Sequence, residues 1–171
     1  MTETLTKNSN ISESQIENAR YKILHYLSKS ERTEYDCEIL LKRKKIPDEI
    51  IKTVIEEAKN KNWLSDERFA RLYTEDAIIC GRSPLDIKHK LKLKRITTQI
   101  IEKVLNELYS NDATKRILED IIDTLIHRNS DTPKHKLYEK IATTLYRKGF
   151  MFSDYDDILR NKIKETDFKR K

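Results

Sequence analysis

Four histidines and two cysteines are the side chains of this sequence best suited to hold a metal or act as nucleophiles, and their arrangement serves neither purpose. His25, His89, His127 and His135 are separated, and none pairs with Cys37 or Cys80 at the short spacings that let imidazole and thiolate close on one zinc ion. Only two glycines, Gly81 and Gly149, are present, so no glycine-rich loop exists whose amides could cradle a phosphate. The carboxylates are interleaved with lysines, as on solvated helical faces, rather than paired for acid–base work. No catalytic residue, cofactor or metal site is expected, and the two cysteines read as ordinary small apolar residues within helices.

Positive charge is what remains. The 171 residues carry 35 Lys and Arg against 29 Asp and Glu, a formal charge of +6 that favours an acidic or polyanionic partner. Lys88, Lys92 and Arg95, at i, i+4 and i+7, read as one positive stripe on a helix. Lys42 and Lys45 stand at equivalent places fifty positions earlier, with Glu38 where Lys88 would align. Arg147 and Lys148 form a further basic pair in a different register. A charge run is usually a solvated face, and here its recurrence is the argument for partner binding. Tyr21, Tyr26, Tyr73, Tyr109, Tyr138 and Tyr146 are scattered at helical spacings and read as core or snorkelling residues, without a base-stacking platform.

The elements that position these charges repeat. "KKIPDEIIKTVI", Lys44 to Ile55, is echoed by "KRITTQIIEKVL", Lys94 to Leu105, and Leu41 aligns with Leu91. A weaker third copy places Leu145, Phe150, Ile158 and Leu159 in the corresponding positions. Each copy reads as a helix, a corner and a second helix entered at Pro47, Thr97 or Ser153–Asp154. Ile50, Ile51, Val54, Ile55 and Ala58 form an apolar stripe at helical spacing. A preceding helix is expected at 16–28, 65–80 and 113–128. "IKHKLKLK", Ile87 to Lys94, alternates like a strand, but its partner "CEILLKRK" does not, and the repeat favours helix.

The expected fold is therefore all-α, a tandem array of three three-helix repeats, elongated and curved. Repeat 1 is expected over 16–62, repeat 2 over 63–110 and repeat 3 over 111–165. A disordered leader of residues 1–15 and a basic tail of 166–171 flank them. No apolar run reaches the roughly eighteen residues of a membrane span. No signal-peptide core is present, and unpaired cysteines suit a cytoplasmic monomer.

"WLSDERFARLY", Trp63 to Tyr73, resembles the RecX family, small bacterial regulators of the RecA recombinase. The resemblance continues through "GRSPLDIKHKLKLKRITTQIIEKVL", with Gly81, Pro84, Ile87 and Leu91 where the family pattern has them. It extends to "YKILHYLSKSERTEYDCEILLKRKKI" and "LYRKGF", covering about residues 20 to 160. It implies a protein that lies along the groove of the RecA–DNA filament, with no chemistry of its own, and limits filament growth, ATP turnover and strand exchange. The motif itself reads mainly as scaffold: Ser65 as an N-cap, Asp66 and Glu67 at the helix's positive end, Phe69 and Ala70 packing inward, Arg68 free to pair externally. The family usually has Gly between second and third helices, and only Gly149 keeps it. Lys45 or Arg95 held left-handed would cost roughly 1 kcal/mol, so those corners are expected to be built differently. The second reading is a direct, largely non-specific DNA binder of helix-turn-helix-like units. Its basic helices offer Lys, which suits weak attraction better than base readout.

Overall fold

The computed structural model describes residues 12–109 and 111–168. Among the described residues there are nine α-helices and no strand. They are α1 (Glu13–Leu27), α2 (Glu34–Arg43), α3 (Asp48–Asn60), α4 (Asp66–Ile79), α5 (Pro84–Leu93), α6 (Thr98–Leu108), α7 (Asn111–Arg128), α8 (Lys134–Arg147) and α9 (Phe152–Phe168). The alternating stretch at Ile87 lies within α5, as the repeat requires. The chain forms two compact units, one up to Phe69 and one from Ala70 onward, and the division falls inside α4.

In the first unit α1, α2 and α3 pack on one another. Polar residues fix where α1 and α2 begin: Ser12 with Gln15, and Thr33 with Asp36, form reciprocal capping boxes that satisfy amides at each helix start. The stripe on α3 buries Ile50, Ile51, Val54, Ile55 and Ala58 against Ala19, Ile23, Cys37, Leu41 and Leu64. Each of those larger aliphatic side chains contributes roughly 1.5–3 kcal/mol by leaving water. On the rim, Arg20 Nε donates to both Glu57 oxygens at 3.1 and 2.9 Å, joining α1 to α3.

In the second unit, α5 packs on α6, and an Arg71–Glu107 ion pair ties α4 to α6. Ala70, Ala77, Ile87, Leu91, Ile96, Ile101 and Val104 are buried there. Helices α7, α8 and α9 pack mutually around Leu118, Ile122, Leu137, Ile141, Leu145, Phe150, Tyr155 and Leu159.

Several expectations change. Pro47 is the N-cap of α3 rather than its first residue. Helix α9 begins at Phe152, ahead of Ser153, and the Asp154 carboxylate accepts the Met151 N–H at 2.8 Å. Cys37 is fully buried in α2, where burial pushes its thiol up to about 12, but Cys80 is exposed in the turn after α4. Tyr109 is buried, whereas Tyr21 and Tyr146 are 70% and 73% exposed and belong to no core. Residues 1–11 of the leader, the boundary residue Ser110 and residues 169–171 of the tail lie outside the described residues. Ser12 to Gln15 are the capped start of α1, not leader, and α9 runs on to Phe168.

Deleting residues 1 to 11 should leave the melting temperature nearly unchanged. Deleting residues 1 to 15 removes the capping box and should cost about 1 kcal/mol, read as a lower thermal midpoint. Equal midpoints for the two truncations would show that the cap contributes nothing.

Candidate functional site

The basic positions cluster where the middle helices end. Helix α2 closes at Lys44, and Lys45 then takes φ +56°. The Lys45 N–H donates to the Lys42 carbonyl at 2.9 Å and the Ile46 N–H to the Leu41 carbonyl at 3.2 Å, a Schellman closure. Helix α5 repeats the arrangement with Arg95 at φ +59°, Arg95 N–H to the Lys92 carbonyl and Ile96 N–H to the Leu91 carbonyl. Helix α8 does so with Gly149 at φ +87° and Phe150 N–H on the Leu145 carbonyl. The expectation that Lys45 and Arg95 build different corners is therefore overturned. Both take the left-handed conformation without glycine, because burying Leu41 with Ile46 and Leu91 with Ile96 fixes the turn. Gly81 at φ +66° closes α4 in the same manner.

The third corner must keep its glycine for an additional reason. A Cβ on Gly149 would lie 2.6 Å from Ser83 Oγ and 3.0 Å from Asp86 Cβ. Ser83 Oγ donates to the Gly149 carbonyl at 2.7 Å, and the Ser83 N–H donates to the Lys148 carbonyl at 3.0 Å. The Lys148 ammonium turns inward and donates to the Cys80 carbonyl at 2.6 Å; burial, with Arg82 and Arg128 nearby, lowers its pKa. Lys148 is half-buried and thus bridges the end of α8 to the turn after α4. Arg147, on the last turn of α8, is exposed.

The remaining candidates fall in two sets. In the first unit Lys42 and Lys45 are exposed, Lys42 lying 3.9 Å from Glu38 on its own helix. In the second, Lys88 and Lys92 share a face of α5, with Lys88 Nζ 3.3 Å from Glu102. Arg95 is exposed beyond the end of α5, in the corner, so the expected three-residue helical stripe is a helical pair plus a corner residue. Lys45 and Lys92 make no side-chain ion pair or hydrogen bond among the described residues.

The motif residues at 65–70 are joinery. Ser65 Oγ accepts the Arg68 N–H at 3.2 Å. Asp66 Oδ1 accepts the Glu34 N–H at 2.8 Å, so it caps the start of α2 from a distant part of the sequence. Burial raises the Asp66 pKa, partly opposed by that amide. Arg68, expected to pair externally, for example across repeats, donates from Nε to Glu31 at 2.6 Å and from Nη1 and Nη2 to the Asn62 and Trp63 carbonyls at 3.2 and 3.1 Å. Glu67 and Phe69 are half-buried and Ala70 is fully buried. At Gly81, a Cβ would meet Ile121 at 3.1 Å and Lys148 Nζ at 3.2 Å. No pattern in the sequence signalled that Asp66 caps an amide 32 positions earlier or that Arg68 also grips the Asn62 and Trp63 carbonyls.

Consecutive three-helix units closed by left-handed corners define an all-α helical-repeat protein. Residues 19–57 match the first three-helix domain of RecX and residues 65–105 match the second. The chain is 28% identical over 131 residues to the regulatory protein RecX of Streptococcus sanguinis, covering 76% of this chain and 50% of that one. It is 31% identical over 147 residues to that of Streptococcus uberis, covering 84% and 55%. The crystal structure of RecX from Lactobacillus salivarius superposes with a TM-score of 0.73 at 25% identity, covering 86% of this chain and 96% of that one. The chain belongs to the RecX family, and it spans about half the length of the curated relatives it matches. No helix among the described residues is long and apolar enough to cross a membrane.

Two stability outcomes follow. Lys45→Gly and Arg95→Gly should each raise stability by about 0.5–1 kcal/mol in denaturant titrations, because glycine adopts the left-handed corner without a Cβ conflict; a loss would show the corner unstrained. Asp66→Asn keeps an acceptor for the Glu34 amide and removes a half-buried charge. The folded parent's raised pKa means Asp66 contributes most at low pH and loses that contribution as pH rises through it. The Asn variant's relative stability should therefore increase from the ordinary aspartate range toward neutral pH, and a pH-independent difference would contradict the burial effect.

Proposed function

We propose that the chain is a non-enzymatic, mainly negative regulator of the RecA recombinase. It acts as a cytoplasmic monomer that docks along the groove of the RecA–DNA filament and limits filament growth, ATP turnover and strand exchange. Its working parts are three three-helix repeats at about 16–62, 63–110 and 111–165, and its docking cations are Lys42, Lys45, Lys88, Lys92, Arg95 and Arg147. One observation carries this reading: Lys45 and Arg95 occupy left-handed corners that glycine would fill without strain. Conformational strain retained at an exposed charge is the mark of a position kept for contact rather than stability. A filament offers a repeated target, and modest contacts at successive repeats add through effective concentration. Direct DNA contact is the second reading, favoured by the ammonium groups of Lys45 and Lys92, which have no side-chain partner among the described residues.

Reversing Lys88, Lys92 and Arg95 to Glu should alter stability by no more than about 1 kcal/mol, since exposed charges contribute little to folding. The same triple variant should co-sediment with RecA–single-stranded DNA filaments at least about tenfold more weakly, because attraction becomes repulsion. Inhibition of RecA ATP turnover by the parent should fall as salt rises. A triple variant that folds and inhibits like the parent would leave these residues as a solvated face. Loss of binding to DNA alone, with inhibition retained, would make the DNA contact incidental.

A further inference from the structure

The first unit holds a second feature, on α1 and α2, that the basic corners do not explain. Tyr21, Lys22, His25, Tyr26, Lys29, Leu40 and Lys44 line an open cavity of about 220 Å³. Its lining combines aromatic and aliphatic side chains with three lysines, and no carboxylate lines it. Tyr21 is 70% exposed and lies parallel to His25, with ring centroids 6.2 Å apart and planes 11° from each other. Tyr26 already carries the Arg32 guanidinium over its ring at 4.5 Å. Lys22 donates to the Asn18 side-chain oxygen, whereas Lys29 and Lys44 make no side-chain ion pair or hydrogen bond among the described residues. Lys44 is also the C-cap of α2, so the cavity adjoins the corner that presents Lys42 and Lys45.

Tyr21 and His25 are one turn apart on α1 and both exposed, so their parallel rings offer aromatic faces to a flat partner. Stacking rings accept any base, and flanking ammonium groups follow the sugar–phosphate backbone; this combination suits single strands, whose bases are unstacked and reachable. We infer that Tyr21 and His25 form a stacking platform for one or two bases of single-stranded nucleic acid, with Lys29 and Lys44 taking the adjoining phosphates. Lys22, Tyr26 and Leu40 complete the lining of the cavity. The site is sequence-tolerant, because it offers ring faces and ammonium groups rather than a set of directed base-edge contacts.

The test is fluorescence anisotropy of a labelled oligothymidylate with the full chain, in the absence of recombinase, so its outcome is separate from that of the filament experiment. Tyr21→Ala should weaken binding on the order of tenfold, while Tyr21→Phe retains it. An abasic strand of equal length should bind more weakly than oligothymidylate and be indifferent to Tyr21→Ala. Lys29→Ala with Lys44→Ala should flatten the slope of log affinity against log salt by about 1.4, two phosphate contacts on a single strand. Circular dichroism confirms that each variant is folded, and His25→Ala, which removes the neighbouring ring, serves as a second probe of stacking. The inference is overturned if oligothymidylate does not bind, or if neither Tyr21→Ala nor His25→Ala changes its affinity. It is equally overturned if the abasic strand binds as well as the natural one. Displacement of the strand by an acidic peptide whose own binding requires Tyr21 would instead assign the cavity to a protein partner.

Discussion

The bond from an apolar residue's amide back to a buried leucine carbonyl, Ile46 to Leu41, Ile96 to Leu91 and Phe150 to Leu145, is the constraint on which the rest of the molecule depends. It requires a leucine in the core five positions earlier, a left-handed residue between, and an apolar side chain that returns the chain to the core. Those three requirements are the repeat. Once the corner is set, the following helix leaves in a fixed direction and its apolar stripe has only one face to bury. Truncating Leu41, Leu91 or Leu145, each fully buried, would therefore remove a packing group and loosen the turn that aims the next helix.

The same geometry explains where charge is tolerated. Lys45 and Arg95 face water while the turn is held by the buried Leu41 or Leu91 before it and by Ile46 or Ile96 after it, so a cation there disturbs no core contact. Lys45 and Arg95 exploit that freedom. The third corner lacks it, because Ser83 and Asp86 stand where a side chain would begin. Discontinuity of the basic positions is thus a packing consequence: the α8–α9 corner serves as a joint, with Lys148 spanning to Cys80, and the other two remain open.

Helices, repeat phase and core were legible in the sequence because each is a local pattern: leucine and isoleucine spacing, Ser and Thr at helix starts, and scarce glycine. Ile87 to Lys94 could be read only through its repeat partner, since alternation alone suggested a strand. What remained illegible depends on groups brought together from distant positions. Asp66 capping Glu34, the choice of Glu31 as the partner of Arg68, and Lys148 reaching the Cys80 carbonyl leave no trace in periodicity. The corners at Lys45 and Arg95 depart from the sequence expectation for a different reason. The cost of about 1 kcal/mol for left-handed Lys or Arg is outweighed by the burial of Leu and Ile on both sides, which is worth several times more.

Asp66 has a consequence for where the first three-helix domain stops being a separable object. The matched family region ends at 57, yet the first amide of α2 is satisfied by a carboxylate at position 66, and the loop after α1 is held by a guanidinium at position 68. A fragment ended between Asn60 and Ser65 would contain every helix of that domain and the Thr33 capping box, while losing the carboxylate on the Glu34 amide and the guanidinium that clasps Glu31 in the loop. Inheritance and autonomy thus draw different borders here. The segment that carries the family's most recognisable letters is the fastening of its predecessor, which gives a physical reason for the two to be kept together as one length of chain.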